Sequence, residues 1–338
     1  MLIPEASTDF EPLNARVLEG ISTKVLLAAV DIKLFDQLTD SCDLEELAHK
    51  LGLVTQLLEP VMDILAGLGL VEVESGRYRN SSVAEEFLVS SAPLYQGDYL
   101  GLTMGFARSV ENRIPELLAG GKLDREEVDQ AWALEHQMNG TGQNALRGGV
   151  HTVADMAAGL PGFNDFGAMC DIGGNHGLYT FAVLERNAVM KGTIFDLPAV
   201  VEKTAARCEQ NGYADRVTTR GIDFRNTKLP EGNYDLVIMS HVLYAFKQDM
   251  VGALQRVAQG LKPGGWFISH HNAGRYGQDG ALYKASLELV TRLAGYASHF
   301  IEREELVAAL EIAGFGDFRF SEVPGMHMGL VTAARKIN

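Results

Sequence analysis

The chain has 338 residues, 46% of them hydrophobic and 22% charged, which is typical of a globular enzyme with room for two domains. Its formal net charge of −15 repels polyanions, so we expect no nucleic-acid partner. The three cysteines are far apart, no apolar run is long enough to span a membrane, and we recognise no secretory signal, so we expect a reduced, cytoplasmic protein with no membrane association.

Residues 1–100 are predicted to form a mostly α-helical winged-helix domain. Helical periodicity and a short hairpin give the predicted elements Val17–Leu38, Leu44–Leu51, Leu57–Leu68, Leu70–Glu74 and Arg77–Asn80. A winged helix can bind DNA, but its third helix, within Thr55–Ala66, carries Glu59 and Asp63 and no Lys or Arg. We therefore favour dimerisation as the role of this domain and keep a DNA-binding regulator as a remote alternative.

Residues 101–160 are predicted to be a helical linker that contributes to a substrate chamber, with breaks at Gly120–Gly121 and Gly140–Gly142. In residues 161–338 strands alternate with helices, which predicts an α/β domain with a doubly wound, Rossmann-like sheet. The predicted strands are Gly167–Ile172, Lys191–Phe195, Arg216–Ile222, Tyr234–Ser240, Trp266–His270, Phe318–Val323 and Gly329–Ala334. The predicted helices are Leu178–Arg186, Pro198–Asn211, Asp249–Leu261 and Arg303–Ala313, with a helical insertion over 274–300.

A glycine-rich turn follows the first of these strands. Glycines suit a backbone that turns with positive φ and lets a ligand approach closely, and the carboxyl ends of parallel strands are where open sheets bind ligands. Acidic residues end the next two strands, where Asp196 would accept hydrogen bonds from ribose hydroxyls and Asp223 with Phe224 would face an adenine. The predicted cofactor-binding residues are Asp171, Gly173, Gly174, Gly177, Asp196, Leu197, Asp223, Phe224 and Ser240.

The motifs in this order resemble a known family. The segments are "CDIGGNHG", "IFDLPAVVE", "GIDFRN", "LPEGNYDLVIMSHVLYAF" and "LKPGGW", and the N-terminal "KLFDQL" and "LEELAHKLGL". They resemble the two-domain small-molecule O-methyltransferases, which include the plant caffeic-acid type and bacterial natural-product enzymes. The resemblance implies a swapped homodimer, an antiparallel final strand, S-adenosylmethionine as cofactor with S-adenosylhomocysteine as product, and a small aromatic or conjugated acceptor.

The sequence departs from that family where the catalytic base is expected. A phenol loses its proton only near pH ~10, so a histidine is the natural base for its methylation. The family carries this histidine in a His-Asp-Trp-like triplet, which here reads Tyr244-Ala245-Phe246. The family's two acidic positions correspond to His271, which follows His270, and to a position near Phe300, beside His299.

The acceptor-side catalytic candidates are Tyr244, His241, His271, His270 and His299. O-methylation with a relocated base is slightly favoured. Carbon methylation is an alternative, since Val242–Tyr244 resembles the bacteriochlorophyllide C-20 methyltransferase branch, and non-methylating chemistry is another. Histidines of this region, His327 included, suggest a metal-assisted variant, but no tight ligand spacing supports it, so no metal ligands are predicted.

Overall fold

The structure is a computed structural model that describes residues 3, 5–121, 125–274, 280–324 and 328–337. Its contacts divide the chain into two compact units, Met1–Gly101 and Leu102–Asn338. Within the described ranges, no helix combines the length and the apolar character that crossing a bilayer requires.

The first unit is built from helices followed by a hairpin. Its elements are α1 (Glu11–Asp31), β1 (Cys42–Asp43), α2 (Leu44–Leu51), α3 (Thr55–Gly67), β2 (Val71–Glu74), β3 (Arg77–Asn80) and α4 (Ser82–Phe87). The strands pair antiparallel in the order β1-β3-β2. Asp43 and Glu46 form a capping box that starts α2, and Phe35, Leu47 and Met62 are fully buried in the core of the unit.

The first predicted helix, Val17–Leu38, was placed wrongly at both ends. Helix α1 ends at Asp31, and a single 3-10 turn, Phe35–Gln37, follows it. The helix stops because Lys33 takes a left-handed conformation with φ +56°. Leu34 and Phe35 are nevertheless fully buried. The apolar pattern therefore continued past the end of the helix because these residues pack in the core, not because the helix continues.

The second unit begins with helices that lead into the sheet domain. Helix α5 (Gly97–Glu111) crosses the boundary between the units, and α6 (Ile114–Leu118), α7 (Arg125–Ala131), α8 (Glu135–Leu146) and α9 (Gly149–Ala158) follow. The predicted break at Gly140–Gly142 is wrong, because α8 runs through both glycines. A Cβ at Gly142 would contact Leu178 and His176 at 3.5–3.6 Å, so the glycine permits close packing of α8 on the start of the sheet domain.

The sheet domain confirms the predicted doubly wound, Rossmann-like α/β fold. Its strands are β4 (Ala168–Ile172), β5 (Lys191–Asp196), β6 (Val217–Gly221), β7 (Tyr234–Ser240), β8 (Leu261–Asn272), β9 (Phe315–Glu322) and β10 (Gly329–Lys336). Among the described residues they form a seven-stranded sheet in the order β6-β5-β4-β7-β8-β10-β9. The pairings from β6 to β8 are parallel, and the final strand β10 is antiparallel to both of its neighbours, as the resemblance implied.

Helices cover both faces of this sheet. They are α9, α10 (Leu178–Glu185), α11 (Pro198–Gln210), α12 (Met250–Gly260) and α14 (Arg303–Ile312), whereas α13 (Ala281–Leu293) packs against α6. Successive strand residues alternate between two buried clusters: Met169 and Leu236 pack on the α9 and α10 side, whereas Cys170 and Val237 pack on the α12 and α14 side. Strand β8 starts earlier than predicted, at Leu261, and has a register irregularity against β7.

Candidate cofactor and acceptor site

The glycine turn at the carboxyl end of β4 has a backbone that few side chains tolerate. Gly173 and Gly177 have φ of +71° and +80°, and Asn175 between them has φ +37°. A Cβ at Gly173 would collide with Val242, and one at Gly177 would lie 2.6 Å from the Phe181 ring. The turn therefore requires its glycines twice, for backbone conformation and for space.

Asp196 connects this turn to the end of β5. Its Oδ2 accepts a hydrogen bond from the Asn175 N–H at 2.9 Å, and its Oδ1 accepts one from the Leu197 N–H at 2.7 Å. Burial raises the pKa of Asp196 to about 6, although these two backbone hydrogen bonds oppose the rise. Each carboxylate oxygen has a further lone pair, so Asp196 retains the capacity to bind hydroxyl groups.

Asn175 organises the turn, and the sequence analysis missed it. Its side-chain amide donates to the Trp132 carbonyl at 3.4 Å, and its Oδ1 accepts from Thr141 Oγ1 at 3.3 Å. Its own carbonyl accepts from Thr204 Oγ1 at 2.7 Å. The residue type was a signal, because asparagine is among the few non-glycine residues enriched at positive φ.

Asp171, at the end of β4, lies beneath the turn. Its Oδ2 accepts a hydrogen bond from Thr180 Oγ1 at 3.0 Å, and a Cβ at Gly174 would lie 2.9 Å from that same oxygen. The Oδ1 atom is buried with no hydrogen-bond partner among the described residues. Burial raises the pKa of this carboxyl to about 7. The structure thus places Asp171 as a support of the turn.

Asp223 and Phe224 differ in how far they are exposed to solvent. Burial would raise the pKa of Asp223, but hydrogen bonds from Arg225 outweigh it and lower the pKa below its ordinary value. Arg225 also donates to Asp129 at 2.7 Å, which ties the end of β6 to α7. The Phe224 ring is only 6% exposed and packs edge-to-face on Phe246, with ring centroids 5.6 Å apart. Asp223 is therefore the more accessible of the two for a ligand.

Two predicted catalytic histidines, His241 and His270, lie in contact. Their ring centroids are 4.3 Å apart, and the His241 N–H donates to the His270 carbonyl at 2.8 Å. The Nδ1 atom of His270 lies 3.0 Å from Tyr179 Oη and 3.1 Å from Ser240 Oγ. Ser240, predicted for the cofactor, thus contacts a histidine, and Tyr179 joins the site with no signal in the sequence.

The adjacent residues His270 and His271 have separate sets of contacts, as expected for neighbours on a strand. His271 Nδ1 lies 3.0 Å from Ser269 Oγ, whereas His270 faces Tyr179 and the start of α9 at Gly149. Burial lowers the pKa of His270 to about 3 and that of His271 to about 4. Both imidazoles are therefore neutral at pH 7.

Tyr244 and His299 form a second group on the acceptor side. Their rings stack with centroids 4.6 Å apart and an interplanar angle of 29°, and the Tyr296 ring meets Tyr244 edge-on at 5.2 Å. His299 Nδ1 lies 3.3 Å from Thr291 Oγ1. Burial lowers the pKa of His299 to about 4, although Glu288 opposes this shift. These side chains present a flat aromatic surface with little basicity.

In the part of the chain that the structure describes, no three His, Cys, Asp or Glu side chains converge as ligands for a metal ion. His327, which the sequence analysis also considered, lies outside the described residues.

Comparison with known proteins identifies the family. Residues 143–315 match the family model of the O-methyltransferase domain, and residues 16–90 match that of the O-methyltransferase dimerisation domain. The chain belongs to the O-methyltransferase family. The resemblance drawn from the sequence motifs is therefore confirmed, with its order of a dimerisation domain followed by a methyltransferase domain.

Individual relatives are similar over most of the chain. The N,N-dimethyltransferase OxyT of Streptomyces rimosus is 29% identical over 238 residues, which are 65% of this chain and 65% of OxyT, just under two thirds of that protein. The tetracenomycin polyketide synthesis 8-O-methyl transferase TcmO of Streptomyces glaucescens is 28% identical over 318 residues, 90% of each chain.

Solved structures share the fold at low sequence identity. The human N-acetylserotonin methyltransferase, solved in complex with S-adenosylmethionine, has a TM-score of 0.77 at 22% identity over 99% of this chain and all of that one. A Nostoc punctiforme protein has a TM-score of 0.85 at 18% identity over 98% of this chain and all of that one. These likenesses support the Rossmann-like fold described above.

Proposed function

We propose that this protein is an S-adenosylmethionine-dependent methyltransferase that acts on a small aromatic or conjugated molecule. The observation that carries the proposal is the junction of the glycine turn with Asp196, made by the hydrogen bond between the Asn175 N–H and Asp196 Oδ2 at 2.9 Å. It brings the glycine turn and a carboxylate together at neighbouring carboxyl strand ends, where α/β folds bind nucleoside-containing ligands.

The residues at these strand ends fit such a cofactor. Gly173 and Gly177 allow the turn its tight form at the end of β4, and Asp196 is ionised at pH 7 with lone pairs for two ribose hydroxyls. Asp223 offers a second, more exposed carboxylate at the end of β6. When bound, S-adenosylmethionine supplies an activated methyl group, and the protein residues hold the acceptor in line with it.

The acceptor side favours a flat molecule. Tyr244, Tyr296 and His299 form an aromatic wall, and aromatic pairs prefer such stacked or edge-on contacts. The helices of residues 101–160 are proposed to complete the substrate chamber. In support, Gly142 of α8 packs against His176 and Gly149 of α9 packs against His270.

O-methylation of an acidic hydroxyl group is the favoured reaction. It agrees with the names of TcmO and of the 3-hydroxy-5-methyl-1-naphthoate 3-O-methyltransferase of Streptomyces sahachiroi, which is 27% identical over 66% of this chain. An acceptor that needs no strong base is a second candidate, at carbon or nitrogen. It is supported by the low basicity of the buried imidazoles and by Tyr244 in place of a histidine.

A homodimer is the proposed assembly. The match of residues 16–90 to a dimerisation domain supports it, and so do the exposed apolar side chains of α1. Leu13, Val17 and Leu18 in that helix are 54–70% exposed, which is an unfavourable arrangement for a helix that stays in water.

The proposal is tested by methyl transfer in vitro. Purified protein is incubated with S-adenosylmethionine carrying a deuterated methyl group and with a panel of phenols, enols, anilines and conjugated carbon acids. At limiting S-adenosylmethionine, mass spectrometry is expected to detect one labelled product that forms more slowly with Asp196→Ala but at the wild-type rate with the matched surface variant Asp215→Ala. A product whose formation does not depend on Asp196 contradicts the assignment of the site.

A further inference from the structure

Histidines surround the imidazole of His241. The side chains that shift its pKa, after burial, are His270, His299, His271 and His176, and no carboxylate is among them. Two of these histidines, His271 and His299, stand at or beside positions where the resembling family has acidic residues. The acceptor side has thereby exchanged negative charge for groups that donate hydrogen bonds and that can take up a proton.

Two of the imidazoles in this histidine cluster have a buried nitrogen that is unused. The Nε2 atoms of His241 and His270 are shielded from water and have no hydrogen-bond partner among the described residues. Buried polar atoms are nearly always paired, so unpaired ones call for a functional explanation. Two on rings in contact indicate a site that forms hydrogen bonds with a bound molecule.

The backbone and the hydroxyl groups around His241 and His270 fix the direction of these nitrogens. His241 holds a φ of +53°, a strained conformation for a residue with a side chain, and such strain concentrates at functional sites. Tyr179 and Ser240 both contact His270 at Nδ1. When Nδ1 accepts a hydrogen bond from either hydroxyl, the ring proton lies on Nε2, which then acts as a donor.

The nearby carboxylates already have partners. Glu288 accepts hydrogen bonds from Ser298, the His299 N–H and Arg292, and Glu305 pairs with Lys247 at 3.1 Å. The Lys247 ammonium is also close enough to His271 to lower its pKa further. An added negative charge would therefore face two carboxylates whose own charges are already compensated.

We infer that the acceptor carries a negatively charged oxygen, as a carboxylate or an ionised enol or phenol, which the Nε2–H groups of His241 and His270 bind. The inference rests on the proposed function and specifies its substrate class. Where the ionised oxygen is itself the methyl acceptor, as in an acidic enol or phenol, the inference also accounts for the missing base, because no proton has to be removed in the site.

Two matched probes test this inference: 3-hydroxy-2-naphthoate and its neutral amide, 3-hydroxy-2-naphthamide. Calorimetry on the wild-type protein with S-adenosylhomocysteine bound is expected to show that the acid binds at least about tenfold more tightly, as charge-assisted hydrogen bonds imply. The preference should fall below about threefold in His241→Asn, which tolerates the positive φ, and in His270→Gln. It should persist in the exposed control His151→Gln.

Equal affinity for the two probes, or binding of neither to the wild type, overturns the inference. A preference that survives in both variants also overturns it. The affinity for S-adenosylhomocysteine is measured in the same samples. If the wild-type protein binds S-adenosylhomocysteine but binds the acid and the amide equally, only the inference of a charged acceptor is rejected. If the wild-type protein does not bind S-adenosylhomocysteine, the proposed function is rejected as well.

Discussion

A single methyl group at Gly173 is expected to disrupt the glycine turn. In Gly173→Ala the residue keeps a φ of +71°, which costs roughly 1–2 kcal/mol for an L-residue. The new Cβ would also collide with Val242, and overpacking of this kind costs about 1–3 kcal/mol. Together these effects predict that the free energy of unfolding falls by roughly 2–5 kcal/mol.

A second glycine separates the two costs. Gly232 lies just before β7, at the amino end of that strand. It has a φ of +57°, and the space around the position of a Cβ is open. Gly232→Ala therefore carries the conformational cost alone, about 1–2 kcal/mol. Adding Val242→Ala to Gly173→Ala should recover part of the unfolding free energy that the collision costs, because it removes the side chain that the new methyl group meets.

Denaturant unfolding and calorimetry with S-adenosylmethionine measure both consequences. Gly173→Ala should be less stable than Gly232→Ala and should bind the cofactor more weakly, while Gly232→Ala should keep the wild-type affinity. If the two variants have equal stability and equal cofactor affinity, the account of the turn as a close-packed ligand cradle is refuted.

Three other predictions concern the acceptor side. Tyr244→Phe keeps the ring that stacks on His299, so it should lower turnover with unchanged cofactor affinity if the hydroxyl takes part in catalysis; equal turnover in steady-state assays would reduce Tyr244 to a wall of the chamber. Gly149→Ala would place a Cβ 2.7 Å from the His270 ring and should destabilise the protein by about 1–3 kcal/mol in denaturant unfolding, whereas Gly105→Ala, with open space on α5, should be neutral or stabilising. Because the pKa of His270 is lowered to about 3, its contribution to stability is complete above pH 6.5 and is lost as the pH falls from there toward 3. Between pH 7 and pH 5 the wild type should thus lose about 2 kcal/mol more than His270→Gln, and equal losses would contradict the burial of a neutral imidazole.

Local sequence signals predicted the sheet domain well, because its central strands, such as β4 and β7, are buried on both faces and its helices have clear ends. The same signals failed where tertiary packing decides. Gly140 and Gly142 have low helix propensity, yet α8 continues through them, and both glycines are buried by tertiary packing. Apolar residues continue at helical spacing past Asp31, where α1 ends. Periodicity alone therefore predicted the wrong end for this helix.

The candidate site was predictable in part. The turn residues and Asp196 were found because glycine spacing and acidic strand ends are local features of the sequence. Tyr179 joins His270 across 91 positions of the chain, and no local pattern indicates such a contact. The left-handed backbone of His241 was not predicted either, because histidine is enriched at positive φ but occurs there too rarely for the residue type alone to indicate it.

The central claim is that the turn at Gly173–Gly177 and Asp196 bind S-adenosylmethionine. Titration calorimetry of the wild type, Asp196→Ala and the surface control Asp215→Ala tests it most directly. We predict that the wild type and Asp215→Ala bind the cofactor equally, and that Asp196→Ala loses roughly 1–3 kcal/mol of binding free energy, or about five- to 150-fold in affinity. Unchanged affinity in Asp196→Ala, or no binding by the wild type, would contradict the claim.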